Sequence, residues 1–246
     1  MSGPAKPVVW ITRPRPGADR TADAVAAMGF EPLVLPLTEV RACDPDIDME
    51  DAERAGFVAV TSSNAIRLAP KLLLEVLKDK PVYAVGDATR DEAKARGLAL
   101  AESAGGAVDD LVSLVAGREK RGAHGLYLCG RRRTGDLEGK LAERGISCLP
   151  AEVYGTYSVS HLTHETEAAP TSRSPDAILF HSALSAHAFA DLVGESDPQA
   201  FANTRFFVLS ERIAEALPGW ARARAAVAAA PDEDNLLAAL RTAFAL

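Results

Sequence analysis

The feature that most restricts the fold is a pattern that occurs twice in the same order. Short apolar, β-branched runs each end in a small polar or glycyl turn that leads into residues with helical spacing. In the first half these runs are Val8-Val9-Trp10-Ile11, Phe57-Val58-Ala59-Val60 and Val82-Tyr83-Ala84-Val85; in the second they are Leu126-Tyr127-Leu128-Cys129, Ala177-Ile178-Leu179-Phe180 and Phe206-Phe207-Val208-Leu209. Runs that are apolar throughout, rather than alternating, belong to strands buried on both faces, which means parallel sheets covered by helices. The predicted helices run from Ala18 to Met28, through Asn64 to Leu77, from Gly86 to Arg96, and from Gly130 to Gly145.

Spacing supports a duplication. Gly29 matches Gly145 (116 residues apart), Leu35-Pro36 matches Leu149-Pro150 (114), Ser62 matches Ser182 (120), Gly86 matches Ser210 (124) and Leu111 matches Leu236 (125). Chance supplies single matches, but an ordered series with slowly growing separation is that of two copies with small loop insertions. Two repeats are too few for a solenoid, so two similar doubly wound α/β domains are expected. Residues 35–40 and 149–157 are extended and lack a following helix, so they are predicted to pair as a connector. The stretch from His161 to Asp176 reads as a linker with one helical turn near Glu165.

Composition narrows the function classes. At 246 residues, 48% hydrophobic and 25% charged, the chain is an ordinary globular sequence long enough for two modest domains. The N-terminal stretch has a four-residue apolar run before Arg13, and no later run approaches the ~18 residues of a membrane span, so a cytoplasmic location is expected. A net charge of −7 argues against general binding to nucleic acid or to an anionic membrane. Cys43, Cys129 and Cys148 are odd in number and widely spaced, which favours reduced thiols over disulfides or a zinc site. His161 and His164 lack an obvious third ligand, so no metal is expected.

The turns at strand ends carry the chemistry. Ligands of open parallel sheets bind there, and free N–H groups flanked by hydroxyls suit carboxylates or phosphates. The candidate turns are Thr12-Arg13, Thr61-Ser62-Ser63-Asn64, Gly86 to Thr89, Gly130-Arg131, His181-Ser182 with Ser185, and Ser210. Helix capping explains each of them singly; six of them across both halves favour a large ligand bearing several anionic groups. Arg13, Arg15, Arg131 and Arg133 lie beside strand ends and suit carboxylates, with a solvated helix face as the alternative, preferred for Arg132 because consecutive helical side chains diverge. His181 either touches ligand or makes a helix-start hydrogen bond. Phosphate-loop, dinucleotide, nucleophile-elbow and zincin motifs are all absent.

These residues together resemble the uroporphyrinogen-III synthase family. The similarity rests on Thr12-Arg13-Pro14 with Gly29 and Pro36, residues 57–65 (FVAVTSSNA), Val85-Gly86-Asp87-Ala88-Thr89, the unit from Gly130 to Gly145, Val153-Tyr154-Gly155-Thr156, and Phe180 to Ser185. The resemblance implies two flavodoxin-like doubly wound parallel-sheet domains joined by a two-stranded β-ladder. The first domain would comprise residues 1–36 and 158–246, the second 41–150, and the ladder 37–40 and 151–157. It implies a monomeric, cofactor-free lyase that closes hydroxymethylbilane, inverting ring D and losing water, with its active site between the domains. Such chemistry needs positioning more than covalent help, because the pyrrole nitrogen stabilises the cation left when the hydroxyl departs. Tyr154 matches the family's tyrosine for assisting that departure; the alternative is that it packs the ladder with its hydroxyl in water. Thr12, Arg13, Thr61, Ser62, Ser63, Asn64, Gly86, Thr89, Gly130, Arg131, His181, Ser182, Ser185 and Ser210 are the expected substrate-contacting residues. His181 departs from the threonine frequent at its position, and Ser210-Glu211-Arg212-Ile213 departs from the usual turn. The competing readings are a non-catalytic sensor of an anionic metabolite and a phosphosugar or nucleotide-sugar transferase.

Overall fold

The computed structural model describes residues 5–133, 135–159, 174–194 and 199–245. The chain divides into two compact units, Met1–Glu39 with Tyr157–Leu246, and Val40–Thr156, and crosses between them within the two extended segments. The turn expected near Glu165, with His161 and His164, lies outside the described residues.

In the first unit, strands β1 (Val8–Ile11), β2 (Glu31–Val34), β9 (Ala177–Phe180), β10 (Arg205–Val208) and β11 (Ala225–Val227) form one sheet in the order β11-β10-β9-β1-β2. Every pairing is parallel. Successive residues alternate between two apolar layers: Val9, Ile11, Ala177 and Leu179 face α1 (Gly17–Ala27) and the C-terminal α11 (Glu233–Phe244), whereas Trp10, Ile178 and Phe180 face α8 (Ala183–Val193), α9 (Glu211–Ala214) and α10 (Gly219–Arg222). Phe189 of α8 centres the second layer, within 6.3 Å of the rings of Trp10, Phe180, Phe201, Phe206 and Trp220. The indole N–H of Trp10 is satisfied inside that layer by donating to the Leu35 carbonyl (2.7 Å).

The second unit repeats this plan. Its sheet contains β3 (Thr38–Ala42), β4 (Phe57–Val60), β5 (Val82–Ala84), β6 (Ala101–Ser103), β7 (His124–Gly130) and β8 (Ser147–Ser158), in the order β3-β8-β7-β4-β5-β6. On one face pack α2 (Met49–Arg54), α3 (Ser63–Leu68), α4 (Lys71–Leu77) and α5 (Asp87–Ala95); on the other lie α6 (Val108–Arg118) and α7 (Leu137–Glu143). Replacing β1-β2 by β7-β8 and β9-β10-β11 by β4-β5-β6 converts the first sheet order into the second, which adds β3 at its edge. Both units are therefore flavodoxin-like, but the chain enters the second at the strand equivalent to β9, whereas the first is built from two separated segments.

The spacing matches find their structural counterparts in this correspondence, with one exception. Gly29 and Gly145 follow α1 and α7 and have φ of 90° and 75°, the left-handed conformation that ends a helix without Cβ strain. Ser62 and Ser182 are the N-caps of α3 and α8. Gly86 and Ser210 stand at the N-caps of α5 and α9. Leu35-Pro36, however, does not match Leu149-Pro150. Val8 pairs with Glu31 and His124 with Ser147, an offset of 23 in each case, so Leu149 occupies the place of Leu33. The repeated dipeptide is two residues out of register.

Two further local readings change. The helix predicted through to Leu77 is broken at Pro70 into α3 and α4, because proline lacks the N–H and disfavours helix at the residue before it. The helix expected from Gly130 starts only at Leu137, capped by Asp136, so the three arginines Arg131, Arg132 and Arg133 lie in a loop. Beside β8, β3 runs antiparallel: Cys43 N–H donates to the Val153 carbonyl and Val159 N–H to the Leu37 carbonyl, both at 3.0 Å.

Candidate active site

Within the second unit a cavity of about 320 Å³ opens at the carboxyl ends of the strands. Thr61 and Ser62 reach it from β4, Val85 from β5, Gly106 and Val108 from the turn into α6, Tyr127, Gly130, Arg132 and Arg133 from β7 and its loop, and Tyr154 from β8. Its size is at the lower end of ordinary ligand sites.

Tyr154 reaches the cavity through a local irregularity. The β7–β8 register pairs Cys129 with Glu152 but Gly130 with Tyr154, a bulge that skips the fully buried Val153. An extra residue on one strand re-aims the side chains beyond it. The Arg131 N–H then donates to the Tyr154 carbonyl (2.9 Å) and fixes the new register. The phenol lies directly against Gly130, where a Cβ would stand 2.6 Å from Cζ and 2.9 Å from the hydroxyl oxygen of Tyr154. Glycine is required there for close approach.

The neighbouring polar groups have defined roles. The Thr61 hydroxyl shares a 2.7 Å hydrogen bond with the Tyr127 hydroxyl, and burial pushes the Tyr127 phenol up to about 12, so it stays protonated. Ser62 Oγ accepts from the Asn64 N–H (3.2 Å), which caps α3 and leaves the hydroxyl proton available to a ligand. Arg133 is held by Glu152 (2.8 Å) and Glu138 (3.4 Å) and lies 3.5 Å from Cys129 Sγ. Burial pushes the Cys129 thiol up to about 11, making it inert rather than nucleophilic. All three cysteines are free thiols.

Among the expected residues of this unit, Thr61, Ser62, Gly130 and Tyr154 are brought together around the cavity. Ser63 and Asn64 start α3 beside it, Gly86 caps α5, Thr89 is buried in the first turn of α5, and Arg131 contributes its backbone to the bulge; none of these five lines the cavity. Arg133, which the sequence marks as suited to carboxylates, lines the cavity but is already engaged by two acids of its own chain. Tyr127, Arg132 and Gly106 line it without having been singled out for it. The Gly105-Gly106 pair before α6, with φ of 107° and 134°, was a readable signal of close backbone approach.

In the first unit most of the expected residues are engaged by groups of the same unit. Thr12 is fully buried and donates to the Leu179 carbonyl (2.7 Å). Ser185 is buried and donates to the Ser182 carbonyl (2.8 Å), while Ser182 Oγ accepts from the Ser185 N–H. Arg13 pairs with Glu233 (2.9 Å) at the start of α11, and Thr21 donates to the same carboxylate. His181 Nε2 stands 3.8 Å from Glu233, and neither buried ring nitrogen has a hydrogen-bond partner among the described residues. Burial lowers the His181 pKa below its ordinary value, outweighing the carboxylate. Facing His181, then Thr21 and Arg13, hold the Glu233 carboxyl down at about 2 against the opposing effect of burial. Ser210 makes no side-chain cap bond. Among the described residues, no group of three or more His, Cys, Asp or Glu side chains could hold a metal ion, and no helix is long and apolar enough to cross a membrane.

Comparison with known proteins bears on the fold and the family. The crystal structure of uroporphyrinogen-III synthetase from Helicobacter pylori 26695 matches with a TM-score of 0.58 at 19% identity, covering 97% of this chain and 99% of that one, a likeness of fold. A mutant uroporphyrinogen III synthase from the extremely thermophilic bacterium Thermus thermophilus matches with a TM-score of 0.49 at 18% identity over 97% of both chains. Curated protein sequences give no significant match. The family model described as uroporphyrinogen-III synthase HemD matches residues 19–238, nearly the whole chain. This chain belongs to the uroporphyrinogen-III synthase family.

Proposed function

We propose that this chain binds hydroxymethylbilane at the strand-end cavity of the second unit and that Tyr154 donates the proton with which the substrate hydroxyl departs as water. Family membership makes the protein a cyclising lyase of tetrapyrrole biosynthesis; the assignment of substrate contacts to particular residues is our own.

The chemistry asks little of the protein covalently. When the C–O bond of the hydroxymethyl group breaks, the pyrrole nitrogen lone pair stabilises the resulting azafulvenium cation, and the phenol proton leaves with the hydroxide as water. The cation meets the substituted carbon of ring D, the spiro intermediate rearranges, and the proton lost on rearomatisation returns to the phenolate. The protein's task is to orient the two ends and supply fixed dipoles where charge develops. Donors at strand ends suit the acetate and propionate groups of the substrate. Ser62 is proposed as one such donor.

The observation that carries this reading is the bulge that sets Tyr154 against Gly130 at the edge of the cavity. The test is Tyr154→Phe assayed with freshly generated hydroxymethylbilane. Turnover is expected to fall by about 10²-fold with the thermal midpoint unchanged. An unchanged rate removes the proposed proton donor.

A further inference from the structure

Arg131, Arg132 and Arg133 leave β7 through the loop before α7, and the structure gives them different roles. Arg133 turns back onto Glu152 and Glu138. Arg131 contributes its backbone N–H to the bulge and does not line the cavity. Arg132 lines the cavity together with Ser62 and Tyr154, and among the described residues no carboxylate pairs with it. The acids nearest to it in sequence or across the sheet are engaged elsewhere: Asp136 accepts from the Gly139 N–H at the start of α7 (2.9 Å), and Glu138 and Glu152 hold Arg133. In a chain of net charge −7, an uncompensated guanidinium at the edge of a concave, hydroxyl-bearing cavity is the arrangement that receives a carboxylate from a ligand.

We infer that Arg132 is a substrate-carboxylate anchor, which holds one acetate or propionate arm of the bilane and makes the site prefer substrates with the full set of acid side chains. The inference rests on the function proposed above. It replaces the helix-face role that the sequence favours for Arg132: the loop conformation releases the three arginines from helical geometry, and of the two that line the cavity Arg132 is the one that no carboxylate of the described residues holds. Its role is in binding, with no proton or bond transferred.

The test measures Arg132→Gln and Arg132→Lys in the full chain. Steady-state kinetics with hydroxymethylbilane are read beside equilibrium binding of uroporphyrin, with eight carboxylates, and coproporphyrin, with four, followed by quenching of porphyrin fluorescence. Arg132→Gln is expected to raise KM and the uroporphyrin Kd about 10-fold while kcat stays within twofold. It should narrow the preference for uroporphyrin over coproporphyrin and weaken the salt dependence of binding. Arg132→Lys, which keeps the charge but not the fork, is expected to fall between. Because the residue is exposed in a loop, the thermal midpoint should not move. KM and Kd within twofold of wild type, or a fall in kcat at constant KM, would overturn the inference. Wild-type protein that binds uroporphyrin through Arg132 without converting hydroxymethylbilane would contradict the proposed function and leave the anchor standing.

Discussion

At the scale of the residue, Tyr154 depends on a side chain that is not there. A methyl group at position 130 would lie inside the van der Waals radius of the phenol ring, so Gly130→Ala must either push the ring aside or open the β7–β8 bulge. The expected result is loss of most turnover together with a stability loss of about 1–3 kcal/mol, checked by urea titration and by the bilane assay. Wild-type activity in that variant would mean that the ring's position is immaterial. Ser62 has two separable roles, a cap acceptor and a free donor. Ser62→Ala should lower stability by about 1 kcal/mol through the lost cap and raise KM as well; Ser62→Asn, which restores a capping acceptor, should recover the stability. Recovery of neither contradicts the capping role.

At the scale of the element, the start of α11 is fixed to the β1 and β9 ends by Glu233, which faces Arg13, Thr21 and His181. Both ionisable partners bind protons less readily when folded. His181, depressed below 6.5, makes folding less favourable as pH drops below that ordinary value, because the unfolded chain takes up a proton that the buried ring resists. Glu233 contributes stability that is fully present above 4.5 and is lost as pH falls toward about 2. Stability should therefore decline on acidification from neutral pH. Glu233→Gln should be less stable at pH 7 and lose less than wild type between pH 4.5 and about 3, as read from urea midpoints; parallel curves would exclude this coupling. The elements themselves were unevenly legible. Strands buried on both faces, such as Phe57–Val60 and Ala177–Phe180, announce themselves by uninterrupted apolar runs. The three-residue edge strands Ala101–Ser103 and Ala225–Val227 hold one β-branched residue between them, Val227, and take their conformation from neighbouring strands. The late start of α7 follows from Gly135, whose φ of 84° lies outside helical geometry, and from the cap at Asp136.

At the scale of the whole molecule, two sheets that share a five-strand order are threaded differently by one chain. Repeat spacing reveals that there are two copies, because cap glycines and N-cap serines recur at the same structural points. It does not reveal which segments join, since the same offsets fit consecutive domains or exchanged ones. The site was legible in part for a related reason. Turn residues at strand ends can be read locally, but the bulge that presents Tyr154 arises from pairing between β7 and β8. Loss of the His181–Glu233 proximity in the first unit should leave the reaction's outcome intact: His181→Thr is expected to retain isomer selectivity, with kcat within about fivefold of wild type, measured by product analysis. Conversion to the symmetric isomer would place His181 in the orienting machinery instead.

The most direct measurement supplies the full chain with freshly made hydroxymethylbilane and separates the uroporphyrinogen isomers formed against an enzyme-free control. The account predicts isomer III, produced without added metal or cofactor and far above the control. Only isomer I, at the rate of spontaneous closure, would contradict it.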